Sequence, residues 1–328
     1  MPSAAFLLQL MRSAAAVSAR RRSRGPLRPT WSWGFEVVAD AMKTHAAHIG
    51  QHDWATQRRL WDAQSAPSPV FREVTREPTQ IAGLRGEWFL PKNAAPKAVV
   101  LYLHGGSFIY GSMKTHGEAI ARIALASSAR VFAADYRLAP EHPFPAQLDD
   151  ALAAYRALRA QGHERIVIAG DSAGGNLAIV TSLALVEAGD PPAGAVLLSP
   201  WVDLTARGGS LESNAPCDYA APENFPRWAA TYLSGAEADD PRASPIFADL
   251  SKLPPSLVVI GTAEMLLDQV RAFVDRARAA GAGVEVFEDP DMIHDGIVFA
   301  GLFARCREVE RRVGAFVKRV GEQPPDRQ

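Results

Sequence analysis

Six residues, Gly170-Asp171-Ser172-Ala173-Gly174-Gly175, stand between the apolar run Ile166-Val167-Ile168-Ala169 and a second one opening Asn176-Leu177-Ala178-Ile179-Val180. The first run reads as a buried strand and the second as the start of a buried helix, so the chain must turn sharply between them. A G-x-S-x-G turn at such a junction holds Ser172 on strained backbone with its hydroxyl projecting. Side chains at Gly170 or Gly174 would collide with the adjoining main chain. Short Gly/Ser patterns recur by chance in a chain with 25 glycines, and the flanking strand and helix are what give this one weight.

A second strand end carries a related signal. Ala98-Val99-Val100-Leu101-Tyr102-Leu103 is a continuous apolar, β-branched run that empties into His104-Gly105-Gly106-Ser107-Phe108. Acyl transfer by a serine passes through an oxyanion, which backbone N–H groups stabilise only where no side chain blocks close approach. Gly105 and Gly106 permit that approach, and the N–H of Ala173 is the third candidate donor. His104 opens this turn and reads as a loop-holding residue. Phe108, inside the first motif, is a candidate pocket residue, and Asp171, inside the second, either supports the turn or lines the pocket.

A serine nucleophile needs a base and a group that orients it, and in this arrangement the acid and then the histidine follow it in the chain. Of the eight histidines, at 45, 48, 52, 104, 116, 142, 163 and 294, only His294 follows Ser172. It lies in a loop, Asp289-Pro290-Asp291-Met292-Ile293-His294-Asp295-Gly296, after the short alternating strand Val284 to Phe287. Two carboxylates follow the strand signal Ser256 to Gly261. Glu264 sits on the loop itself and is the preferred acid. Asp268 stands where a helical pattern begins, so its ordinary role is to accept N–H bonds at a helix start.

Strand-like and helix-like segments alternate from residue 98 onward: Ala98 to Leu103, Val131 to Asp135, Ile166 to Ala169, Ala195 to Ser199, Leu257 to Gly261 and Val284 to Phe287. Such alternation argues for a mostly parallel sheet flanked by helices on both faces, with Val70 to Thr75 and Leu84 to Leu90 as an antiparallel start. The spacing from Gly296 to Val320 predicts an amphipathic helix that packs on the core. With 328 residues, 48% of them hydrophobic, one such domain can bury a large core.

The chain resembles the hormone-sensitive lipase family of α/β-hydrolase esterases. The similarity rests on His104 to Gly106, on Gly170 to Gly175 and on the stretch Asp135-Tyr136-Arg137-Leu138-Ala139-Pro140-Glu141-His142-Pro143-Phe144-Pro145-Ala146 between them, and it covers most of residues 69 to 315. It implies an α/β-hydrolase fold with an eight-stranded sheet and a helical cap. It also implies a serine carboxylesterase acting on short- to medium-chain esters through an acyl-enzyme, with Ser172 as nucleophile, His294 as base, Glu264 as acid and Gly105, Gly106 and Ala173 as the oxyanion hole. The family's acid is commonly Asp, with Glu in some bacterial members. Ser107 departs from the family, which usually has a third glycine there, and this bears on loop rigidity and selectivity for the alcohol side.

The expected organisation is a flexible basic tail over 1–25, a helical cap from 26–65 and 204–240, a catalytic core from 66–203 and 241–320, and a C-terminal tail over 321–328. The aromatic-rich stretch 26–65 contains Trp31 and Trp33, which either line a substrate channel or anchor the cap. Residues 1–30 hold six arginines and no acid. The apolar stretch Phe6 to Met11 is too short for an export signal, so a cytoplasmic location is expected. The Arg-rich start leaves room for a transit peptide, a solvated tail being the alternative.

No cofactor is expected. Cys217 and Cys306 lack metal spacing, His45, His48 and His52 have little carboxylate support, and no phosphate-binding or dinucleotide fingerprint occurs. A formal net charge of −1 gives no nucleic-acid footprint. The apolar runs are too short for stable membrane insertion, which leaves a small-molecule ester as the partner, with room for a homodimer. Two other functions use the same fold: hydrolysis of a lactone or arylformamide by the same triad, and ligand reception without catalysis. Receptors similar to this family have lost the triad histidine, whereas His294 is present.

Overall fold

A computed structural model describes residues 4–65, 68–94, 98–206 and 208–322. Eight strands form one sheet: β1 (Val74–Ile81), β2 (Leu84–Pro91), β3 (Val99–Leu103), β4 (Arg130–Ala134), β5 (Ile166–Asp171), β6 (Gly194–Leu198), β7 (Ser256–Gly261) and β8 (Val284–Asp289). Their spatial order is β1-β2-β4-β3-β5-β6-β7-β8. β1 pairs antiparallel with β2 and β2 with β4, while every pair from β4 to β8 is parallel.

Ten helices accompany the sheet among the described residues: α1 (Ala4–Arg24), α2 (Trp33–Ile49), α3 (Trp54–Asp62), α4 (Met113–Ser127), α5 (Ala146–Ala160), α6 (Ala173–Glu187), α7 (Ser210–Ser213), α8 (Asn224–Leu233), α9 (Leu267–Ala279) and α10 (Arg307–Glu322). Alternation along β3 explains why its whole run is apolar. Val99, Leu101 and Leu103 face the layer of α5, α6 and α9, whereas Val100 and Tyr102 face α4 and α10. Both faces are covered, and no position is left for a polar side chain. Among the described residues no helix is long and apolar enough to cross a membrane.

Three expectations are corrected. The strand expected over Val70 to Thr75 begins only at Val74, because Pro69–Arg72 winds into a 3-10 turn whose cap, Ser68, accepts from the N–H of Val70. Its Pro78 is tolerated because β1 lies at the sheet edge. The single helix expected from Gly296 starts at Arg307, after short 3-10 turns at Gly296–Phe299 and Ala304–Cys306.

The third correction concerns the tail over 1–25. Residues 4–24 are helical, and α1 lies against α2 with Ser13 and Val17 buried. Arg20 and Arg21 donate to the two carboxylate oxygens of Glu36, whose side chain is fully buried, at 2.6 and 2.7 Å. A buried carboxylate is tolerable only when paired, and that pairing fixes the helix in place. Of the tail over 321–328, residues 321 and 322 close α10 and the remainder lies outside the described residues.

Segments 26–65 and 204–240 meet over the loop that follows β3. Arg58 of α3 donates from Nε to the carbonyl of Ile109 and from Nη2 to that of Ala139, both at 2.6 Å, and it pairs with Glu141. Trp61 stacks on Tyr110, whose ring also meets Trp228 of α8 edge to face. Lys43 of α2 donates to the carbonyl of Ala215, joining the two segments directly.

Candidate active site

The turn between β5 and α6 has the strained backbone its glycines predict. Ser172 sits at φ 51° and ψ −119°, a region that side chains avoid unless the surroundings enforce it. Its N–H donates to the carbonyl of Leu198 at 2.8 Å and its carbonyl accepts from Trp201 at 3.0 Å, so the end of β6 clamps it on both sides. A Cβ on Gly170 would run into the carbonyl of Gly174, and one on Gly174 into that of Leu103.

Three strand ends converge on this turn. His294, on the loop after β8, places Nε2 2.9 Å from Ser172 Oγ and Nδ1 2.8 Å from Glu264 Oε2. Glu264, on the loop after β7, is fully buried. Its other oxygen accepts from Ser199 Oγ at 2.9 Å and from the N–H of Gly261. Asp268 does not join them: its carboxylate accepts from the N–H of Ser210 at 2.8 Å, at the start of α9. All three members thus come from the carboxyl ends of parallel strands, where open α/β sheets hold their ligands.

The turn after β3 lies beside Ser172. Gly106 has φ 115°, and a Cβ there would meet the carbonyl of Tyr110, while one on Gly105 would strike the Asp171 carboxylate. The carbonyl of Gly106 accepts from Ile109 and Tyr110, both at 2.9 Å. Ser107 and Phe108 follow at φ 54° and 62°, so the position where a third glycine was expected is left-handed and is nonetheless held by serine. Ala173 opens α6, and a first-turn N–H has no partner within its helix. Gly105 packs against Asp171, next to Ser172 and Ala173, and Gly106 packs against Tyr110.

Behind this turn is a buried polar cluster. Asp171 accepts from Tyr102 Oη at 2.6 Å and lies 3.0 Å from His116 Nε2. Burial alone would raise the Asp171 pKa, but the His116 charge and hydrogen bond outweigh it and hold it low. His104 is pushed down to about 4 by burial, which keeps its ring neutral. That ring stacks on Tyr136, whose hydroxyl donates to the His104 carbonyl at 2.6 Å. Of the two roles open to Asp171, these bonds are those of a prop beneath the turn.

The aromatic candidates are also placed in packing. Trp31 is buried, with its indole N–H on the carbonyl of Asp291 and its ring against Phe35. Trp33 is half exposed and donates to Ser18 Oγ of α1 at 3.0 Å. Phe108 is buried and stacks on Tyr232 at 3.8 Å between ring centres. Of the two roles open to the tryptophans, these contacts are those of anchors: Trp31 ties to the loop after β8 and packs on α2, and Trp33 ties to α1.

Several residues near the serine and histidine carried no recognisable sequence signal. Asp218 of segment 204–240 is buried; its carboxylate accepts from the N–H groups of Met265 at 2.9 Å and His294 at 3.4 Å. Asp295, in left-handed backbone, brings Oδ2 to 3.3 Å from His294 Nε2. Half-buried Tyr219 lies 5.9 Å from the His294 ring, between ring centres. Burial alone would lower the His294 pKa, but the carboxylates of Asp295, Glu264 and Asp218 outweigh it and push the imidazole well up. Of the His45, His48 and His52 group, His48 and His52 contact each other edge to face. Among the described residues no group of three His, Cys, Asp or Glu side chains is arranged to hold a metal ion.

A family profile described as an alpha/beta hydrolase fold matches residues 100–298. An acetyl-hydrolase of Streptomyces hygroscopicus is 39% identical over 236 residues, spanning 71% of this chain and 79% of its own. An esterase of Acinetobacter venetianus is 38% identical over 276 residues, 80% of this chain and 91% of its own. Among solved structures, an esterase from the bacterial hormone-sensitive lipase family superposes with a TM-score of 0.79 at 38% identity, covering 86% of this chain and 97% of that one.

Proposed function

We propose a Ser172, His294, Glu264 mechanism for this chain, which belongs to the hormone-sensitive lipase family of α/β-hydrolase-fold esterases and is a carboxylic ester hydrolase. Its substrates are small-molecule esters. Ser172 Oγ bonds to the acyl carbon while its proton passes to His294 Nε2, and the carbonyl oxygen becomes an anion facing the N–H groups of Gly105, Gly106 and Ala173. Collapse of that intermediate breaks the ester C–O bond, and the imidazolium gives its proton to the departing alkoxide. Water then adds to the acyl carbon, losing its proton to His294, and the acid leaves as Ser172 recovers its proton. Glu264 holds the imidazole in the tautomer with Nδ1–H and stabilises its charged form.

The observation that carries this reading is the unbroken bond series from Ser172 Oγ through His294 to Glu264 Oε2, at 2.9 and 2.8 Å, on a strained turn. In the same reading, segments 26–65 and 204–240 are the cap, of which Tyr219 comes to 5.9 Å from the His294 ring. A cap so tightly pinned by Arg58 and Lys43 restricts chain length. Steady-state hydrolysis of p-nitrophenyl acetate, butyrate, octanoate and palmitate is expected to fall steeply toward palmitate. Absence of Ser172-dependent turnover on all four would redirect the assignment to lactones or amides.

The pH profile tests the surroundings of His294. The base is active only when Nε2 is unprotonated, so a raised pKa moves the acidic limb of kcat/KM to higher pH. Burial pushes the Asp295 carboxyl itself well up, against the pull of His294, so Asp295→Asn is expected to move the limb down by no more than about one pH unit. An unmoved limb in a folded variant would show that Asp295 does not act on His294.

A further inference from the structure

We infer that the outward face of α1, together with Trp33, is a docking surface for an anionic lipid bilayer. Leu7, Met11, Ala15 and Ala19 recur at four-residue spacing and so form one row along the helix, with Leu8 beside it. That row points away from the protein: Leu7, Leu8 and Met11 are 47%, 45% and 64% exposed, whereas Ser13 and Val17 on the other side are buried against the fold. A helix that only packed on its own core would have the reverse arrangement. Trp33 is 49% exposed, and its bond to Ser18 Oγ brings the indole alongside the row. Among the described residues seven large apolar side chains are strongly exposed, and five of them, Leu7, Leu8, Met11, Leu27 and Trp33, fall in this one stretch. Isolated exposed leucines need no explanation, but such a concentration does.

The charges select the partner. Arg12 and Arg22 flank the apolar row, Arg24 follows, and all three are exposed without an ion pair among the described residues. The only nearby acids on α2, Glu36 and Asp40, are already paired with Arg20 and Arg21. Apolar side chains rimmed by unpaired arginines, with an interfacial tryptophan and no acid, suit a helix lying flat in the headgroup region of an anionic leaflet, arginine stems reaching up to phosphate. A second copy of the chain fits less well, since a twofold contact through this face would set Arg12 and Arg22 against themselves. The surface is tied to the loop bearing His294, because Thr30 and Trp31 donate to Asp291 on that loop. Docking would hold that loop close to a layer in which apolar esters collect.

The full-length protein, sedimented with vesicles of equal parts phosphatidylglycerol and phosphatidylcholine, is expected to bind about tenfold more strongly than with phosphatidylcholine alone, less so as salt rises. The exposed pair Leu8→Glu and Met11→Glu is expected to abolish the difference while leaving p-nitrophenyl acetate turnover unchanged, which also reports an intact fold. Arg12→Gln with Arg22→Gln should weaken anionic binding about tenfold without touching the apolar row. Parent protein that ignores the anionic vesicles, or glutamate variants that still bind them, would overturn the inference. So would a dimer in sedimentation velocity that the glutamates split, for then a second copy covers the row.

Discussion

Ser172→Ala is expected to lower kcat on a soluble p-nitrophenyl ester by about 10⁶-fold, and His294→Ala by a similar factor. The double variant should be scarcely worse than either single one, because the hydroxyl and the imidazole act as one unit. The residual rate, about 10³-fold or more above water, would come from binding and from the N–H groups of Gly105, Gly106 and Ala173. Steady-state kinetics with active-site titration of the parent would measure all three losses. Additive losses, or a Ser172→Ala variant with appreciable turnover, would exclude the proposed covalent route. The fold should survive Ser172→Ala, because the clamps on Ser172 at Leu198 and Trp201 are made by its backbone, whereas His294→Ala also strips Oε2 of the buried Glu264 of its partner and is expected to lower stability.

The second large effect separates two carboxylates four residues apart. Glu264→Ala should cost about 10⁴-fold in kcat, since it releases the His294 tautomer and strands Ser199 Oγ and the Gly261 N–H without an acceptor. Asp268→Ala should leave turnover close to that of the parent. It costs stability instead, about 1 kcal/mol, through the lost bond from Ser210 and the lost negative charge at the start of α9. Thermal unfolding alongside kinetics distinguishes the two, and the reverse pattern would make Asp268 the acid.

The contrast between these carboxylates also shows what a sequence can and cannot reveal. Ser172 was legible because its flanking glycines answer a local steric demand, and the structure shows the carbonyls a Cβ would strike. His294 was legible through chain order. Glu264 was preferred over Asp268 because it lies on the loop and not at the helix start, and it is Glu264 that bonds the imidazole while Asp268 accepts from Ser210. The parallel core was legible from β3 to β7 because strands buried on both faces read as unbroken apolar runs, and the edge strand β8 was legible by its alternation. β1 was misplaced because Pro69 winds the preceding residues into a turn. α1 was missed because the partner of its arginines, Glu36, is buried and lies beyond them in a segment read as cap. Asp218 and Tyr219 reach the site only through tertiary packing, which no local pattern announces.

Asp218 has one more implication. The segment that overlies the site also supplies the carboxylate that caps backbone N–H groups on both the Glu264 and the His294 loops. With this segment as the proposed cap, substrate range and reaction geometry do not sit in separable modules. A graft that exchanges residues 204–240 to admit a bulkier ester also removes the tie between two loops of the reaction centre, so changes in selectivity here carry an inheritance in rate. Specificity in this scaffold is better varied one side chain at a time, with Asp218 left in place.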